Sequence, residues 1–130
     1  LRHIVPLLFI LGLIILSALC DSYAAFIVKM KFNELGEIDL SSFRGFFNYM
    51  YNFFASPILL SAVVTFLAAP VLWFIALNKI DLSVGYPFMV GLHFVFVLFL
   101  ATFFLNEAFT INKAIGCGLI LLSIYFLFKR

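Results

Sequence analysis

The chain has 130 residues, of which 66% are hydrophobic and only 11% charged. A soluble domain carries about 45–50% apolar and about 25% charged residues, so a small core surrounded by water is excluded and a single lipid-embedded domain over residues 1–130 is expected. The net charge of +2 is spread along the chain and leaves no electrostatic footprint for nucleic acid.

A bilayer core about 30 Å thick needs about 20 mostly apolar residues per spanning helix. Four stretches meet this: residues 4–28, 56–77, 82–105 and 111–128. Unsatisfied backbone in hydrocarbon costs several kcal/mol per group, so each is expected to be helical. The expected fold is an all-α membrane protein of four transmembrane helices plus an amphipathic interfacial helix between helices one and two. The first run lacks a small-x-small cleavage site before polar sequence and reads as a retained helix. The link, residues 29–55, is polar up to Leu40. Phe43, Phe46, Phe47, Met50, Phe53 and Phe54 then recur at helical spacing with Arg44, Asn48 and Asn52 opposite, the pattern of a helix lying in the interface, capped by Asp39, Ser41 or Ser42. Ser56-Pro57 opens the second span as a cap followed by a first-turn proline. Asn78 to Asp81 and Asn106 to Thr110 are turns. With four crossings, Arg2, Lys79, Lys129 and Arg130 fall on one side and Lys29, Lys31, Arg44 and Lys113 on the other. That balance removes the usual determinant of orientation, so a partner sets topology or the chain inserts both ways.

Within the spans, chemistry-bearing residues are few. Asp21 lies in the first helix, where an aspartate costs a few kcal/mol on insertion scales and usually faces a bundle interior or a water-filled cavity. Ser17, Ala18, Ala24 and Ala25 share its face, and small faces let membrane helices approach closely. A carboxylate kept there is expected to hold either a proton or a cation. On the third helix Tyr86, Met89 and His93 follow one another at spacings of three and four and line one face. Pro70 and Trp73 on the second helix mark a tolerated kink. On the fourth helix Gly116, Ile120 and Ser123 form a narrow groove for packing within or between protomers. Cys20 and Cys117 read as small buried hydrophobes. His3 and His93 are too far apart in sequence for a preformed ligand pair. No zinc spacing, nucleophile elbow, glycine-rich phosphate loop or Cys-x-x-Cys occurs, so neither an enzyme nor a metal or other cofactor is expected.

From Ser56 to Phe128 the chain resembles the drug/metabolite transporter superfamily, through Ala76-Leu77, Leu82-Ser83, Gly85-Tyr86-Pro87, Glu107 and Ile115-Gly116 in that order. Among its four-helix members it looks like the small multidrug resistance family, whose first-helix acid with a lysine eight residues later is matched by Asp21 and Lys29. The family's pocket tyrosine is matched by Tyr86, and its heptad-spaced dimer groove by Gly116 and, less well, Ser123. Departures are plain: the acid is Asp rather than Glu, the pocket tryptophan falls at Met89, a kinking glycine falls at His93 with Gly91 retained, and the link is longer. The resemblance implies proton-coupled export of a cationic or amphipathic small molecule by a homodimer or paralogue heterodimer in a bacterial inner membrane, among membrane lipids. Asp21, Tyr86, Met89 and His93 would bind proton or substrate, and Ser17, Lys29, Trp73 and Gly91 would support them. Two alternatives accompany this. Pro87 after Tyr86 is closer to subunits that flip aminoarabinose linked to undecaprenyl phosphate, in which case Lys29 and Arg44 would meet the phosphate. A non-transporting subunit of a larger membrane complex is the other.

Overall fold

The computed structural model describes residues 4–129, with side chains from Pro6 to Lys129; Arg2, His3 and Arg130 lie outside the described residues. Five helices follow in order: α1 (Ile4–Leu35), α2 (Phe43–Phe54), α3 (Pro57–Leu77), α4 (Leu82–Phe104) and α5 (Ile111–Phe128). Among the described residues, four of these, all but α2, are long and apolar enough to cross a membrane. Composition and helix length together make this an integral membrane protein.

The first helix outruns the expected span. It does not stop at Val28 but continues through the polar stretch to Leu35. Hydropathy marks where lipid ends, whereas helix length is set by local bonding. Lys31 pairs with Glu34 one turn on, a helix-supporting spacing. Termination comes at Gly36, whose φ of 78° is strained for an L side chain and whose N–H donates to the Phe32 carbonyl at 2.9 Å, closing a left-handed cap. The link is thereby reduced to a short loop, α2 and the Ala55-Ser56 connection. Ser42 is the α2 cap, accepting from Gly45 N at 3.0 Å. Asp39 instead accepts from the Ser41 N–H and hydroxyl, and these bonds hold its carboxyl below the ordinary aspartate range.

The spans pack through small residues. Ala18 and Ser17 of α1 and Ala62, Ala69 and Ala76 of α3 are all buried, and close approach of backbones is how membrane helices gain contact without a hydrophobic driving force. The Ser17 hydroxyl donates to the Ala69 carbonyl at 2.8 Å, and Tyr23 Oη and Ser61 Oγ lie 2.9 Å apart. Helix α1 is the centre of the molecule. It packs on α3 and on α4, while α5 rests on α4 and α2 bridges α1 and α3. Although α3 and α4 are consecutive in sequence, they diverge from each other over α1 and scarcely pack on each other.

Two apolar clusters result. One gathers Ala24, Ile27, Phe53, Leu59 and Ala62, and the other Ile14, Trp73 and Ala76. Asp21 falls between them along α1. On the far side, Gly91 is buried against Ile120 and Ile124 of α5, so a side chain there would meet those isoleucines. Glu107 N donates to Ala101 O at 3.1 Å across Asn106, whose φ is 54°, which closes α4 before Thr110 caps α5.

Candidate functional site

Asp21 sits fourteen residues, roughly 21 Å, before the end of α1 at about 1.5 Å per residue. It is therefore an interior helical residue and not a terminal one. Because α3 and α4 diverge over α1, a cleft of about 310 Å³ opens between them. Asp21 stands on its floor. Ala69, Pro70 and Trp73 form one wall, and Tyr86, Met89, Val90 and His93 the other. All four residues expected to bind proton or substrate thus line one cleft, together with Trp73.

The polar geometry is specific. Asp21 Oδ2 lies 3.2 Å from His93 Nδ1, and each side chain keeps about a third of its surface open, 32% and 31%. Ser22, fully buried, donates its hydroxyl proton to the Ala18 carbonyl at 2.6 Å. Its oxygen lies 3.1 Å from His93 Nδ1. A serine has one proton to give, so with that proton on Ala18 its oxygen can only accept from His93. An ionised Asp21 can only accept as well. Nδ1 must therefore carry the hydrogen and share it between the two. Bonds of this type orient a histidine ring and set its tautomer.

The cleft wall is built by packing. Gly85 is buried, and a Cβ there would stand 3.4 Å from the Trp73 ring and 3.0 Å from Ile80, so the bare backbone seats the indole. Trp73 meets Tyr86 edge to face at 6.3 Å, the single aromatic bridge between the diverging helices. Pro70 lacks the N–H that would bond Phe66 O, which loosens α3 beside the carboxylate.

The remaining expected residues lie elsewhere. Ser17 ties α1 to α3 through Ala69, beside the cleft. Lys29 lines a small crevice with Ser22, Ala101 and Glu107. Arg44 lines a surface groove on α2 with Ser42 and Asn48, so the structure does not bring Lys29 and Arg44 to one phosphate-sized site. Gly91 faces α5, away from the cleft. Ile120 packs on Gly91, but Ser123 is exposed and donates to Leu119 O of its own helix; the three α5 residues do not form one contact. Ser22 is the residue sequence reasoning missed. A helical serine ordinarily bonds the carbonyl four residues back, as this one does, and its second bond depends on the rotation of α4. Among the described residues, no group of three or more His, Cys, Asp and Glu side chains is placed to hold a metal.

Residues 3–129 match the model of a family described as the EamA-like transporter family. A protein of Sinorhizobium fredii named "Uncharacterized protein y4nH" is 32% identical over 74 residues, 57% of this chain and 63% of that protein. The aligned part thus spans less than two thirds of that relative's length. No solved structure matches the chain.

Proposed function

The chain belongs to the EamA-like transporter family, and from that premise we propose that it moves a cationic or amphipathic small molecule across the membrane in exchange for protons. The observation that carries this reading is the Asp21–His93 pair, 3.2 Å apart, at the base of a cleft between apolar helices. An isolated carboxylate in hydrocarbon is costly. Here it has one protonatable partner and one open side. A cation entering from the cleft competes with the His93 N–H for Asp21, and a proton arriving at the pair releases the cation. Binding energy for one is lost on binding the other, which is the requirement for exchange. Trp73 and Tyr86 offer aromatic faces that attract a cation, and Met89 adds an adaptable apolar surface.

Two finer features complete the proposal. Helix α2 is read as interfacial because its surface divides into three sectors. Phe46, Tyr49 and Phe53 turn toward the protein. Phe43, Phe47 and Phe54 are exposed and apolar. Arg44, Asn48 and Asn52 are exposed and polar. An element with separate protein, lipid and water faces fits the headgroup boundary. The working unit is proposed to be a pair of such four-helix chains, identical or paralogous, in a bacterial inner membrane. The open side of the cleft and the absence of any buried residue on α5 support a partner, and the relative in a bacterium supports the compartment.

Reconstituted into proteoliposomes, the wild-type chain is expected to take up a lipophilic cation when a proton gradient is imposed, and Asp21→Asn to lose that coupling. If Asp21→Asn transports and couples as well as wild type, the mechanism is wrong.

A further inference from the structure

At the end of the spans away from α2, the start of α1 and the end of α3 enclose a groove of about 600 Å³. The antiparallel register set by the Ser17–Ala69 bond brings Phe9, Ile10 and Leu13 of α1 opposite Val71, Phe74 and Ile75 of α3. Each side climbs about 10 Å at about 1.5 Å per residue, which lies within one leaflet of a bilayer core about 30 Å thick. Phe9, Val71 and Phe74 are exposed, so on spanning helices they face hydrocarbon. Ile10 and Leu13 form the back wall, and they also pack on the cluster that holds Trp73. The lining turns polar at one end only, where it finishes on Asn78 and Lys79 in the turn that closes α3 at the membrane surface. Asp81, two residues on, forms no ion pair with Lys79 among the described residues, so the ammonium is available to an anion.

We infer that this groove is a binding site for an anionic diacyl phospholipid, with one acyl chain laid between α1 and α3 and the phosphate against the Lys79 ammonium. Charge complementarity commits the occupant. A basic residue at the surface end of an apolar cleft between spans is what recognises an anionic headgroup. A free anion would leave the apolar length of the groove uncovered, and a zwitterionic headgroup would bring a second cation up to Lys79. The polarity of the groove is also that of a lipid in its leaflet, with charge at the surface and tail toward the midplane. Neither Asp21 nor His93 lines the groove, so the site is separate from the cleft and does not depend on what the cleft carries. It reaches the cleft mechanically. An acyl chain against Ile10 and Leu13 backs the cluster under Trp73, and Trp73 is part of the cleft wall. The lipid thereby serves as a support for that wall.

The test is native mass spectrometry of the full chain, released from detergent with equimolar phosphatidylglycerol and phosphatidylcholine of the same acyl chains. The wild type is expected to retain phosphatidylglycerol about tenfold more than phosphatidylcholine, the worth of one charge-assisted contact. Lys79→Gln is expected to erase that preference and Lys79→Arg to keep it, whereas Lys113→Gln, at the opposite end of the spans, is expected to change nothing. Val71→Trp, at an exposed position, puts an indole into the groove and is expected to reduce retention of both lipids with Lys79 intact. Glycerol phosphate, which has the anion and no acyl chain, is expected not to compete. The sole tryptophan of the wild type, Trp73, gives a second reading: phosphatidylglycerol is expected to shift its emission in wild type and not in Lys79→Gln. The site is overturned by equal retention of the two lipids, by retention indifferent to Lys79, or by a Val71→Trp chain that holds lipid as well as wild type. Competition by glycerol phosphate, the mark of a plain anion site, also overturns it. So does an oxidative dimer of Val71→Cys in a background lacking Cys20 and Cys117, since a second copy would then fill the groove.

Discussion

Ser22 gives its one proton to the Ala18 carbonyl, and this decides what His93 must do. With the serine oxygen and the Asp21 carboxylate both accepting, the imidazole is oriented from two sides. Replacing Ser22 by Ala removes one of them. The expected cost is about 0.5–1.5 kcal/mol, the usual net worth of an intramolecular hydrogen bond, read as lowered resistance to unfolding. Nitrogen NMR of a histidine-labelled chain is expected to show one Nδ1–H tautomer in wild type and exchange between tautomers in Ser22→Ala; an unchanged spectrum would mean that Asp21 alone holds the ring. At this scale the sequence was informative where a residue type was out of place. Asp21 stands out because hydrocarbon penalises it, and Tyr86, Met89 and His93 stand out because their spacing returns to one helical face. Ser22 had no such mark, since a serine on an apolar helix satisfies itself locally.

Helix α2 shows what a periodic pattern conveys and what it omits. The recurrence of phenylalanines gave a helix with an apolar side, but only packing divides that side between protein and surroundings. The loop before it is ordered by Asp39, and the sign of the pH effect follows from the lowered carboxyl. Its ionised form is favoured in the folded state, so the contribution is present above the ordinary aspartate value, about 3.9, and is lost as pH falls through the lower folded value. Amide resonances of Ser41 and Gly45 are therefore expected to shift together in acid, below about pH 4, and Asp39→Asn to abolish the transition. Helix α5 teaches a related point. Gly116, Ile120 and Ser123 share a seven-residue spacing along α5. Within the protomer the notch at Gly91 fixes the rotation of α5, and it selects Ile120 and Ile124. A glycine on one helix set the facing residues of another, and no reading of α5 alone could supply that.

For the whole molecule, the number of spans was legible because membrane thickness imposes it, but their arrangement was not. Consecutive helices joined by a tight turn are expected to pack as a pair, yet α3 and α4 separate over α1. The cleft exists only because of that divergence. With α5 resting mainly on α4, its outer apolar face, including Ile115, Leu119 and Leu122, is free for a second chain. In a background lacking Cys20 and Cys117, Leu119→Cys is expected to form an oxidative dimer in membranes, and Ala18→Cys, at a buried position inside the chain, is expected not to. Absence of the Leu119→Cys crosslink, or equal crosslinking by both, would count against pairing through α5.

The spanning helices are unequal. At about 1.5 Å per residue, the 32 residues of α1 extend roughly 48 Å and the 18 of α5 only about 27 Å. Only the apolar part of α1, residues 4–28, has to match hydrocarbon, roughly 38 Å at about 1.5 Å per residue, which still exceeds α5, so mismatch is built into the protomer. In a thick, sterol-rich or long-acyl membrane α5 is too short and its ends drag headgroups inward. In a thin one α1 must lean, and leaning tips its carboxylate relative to the lipid surface. Thermal resistance measured across phosphatidylcholines of graded acyl length is expected to peak where hydrocarbon thickness meets α5, near 27 Å. A monotonic rise with acyl length would show that α1 sets the match instead.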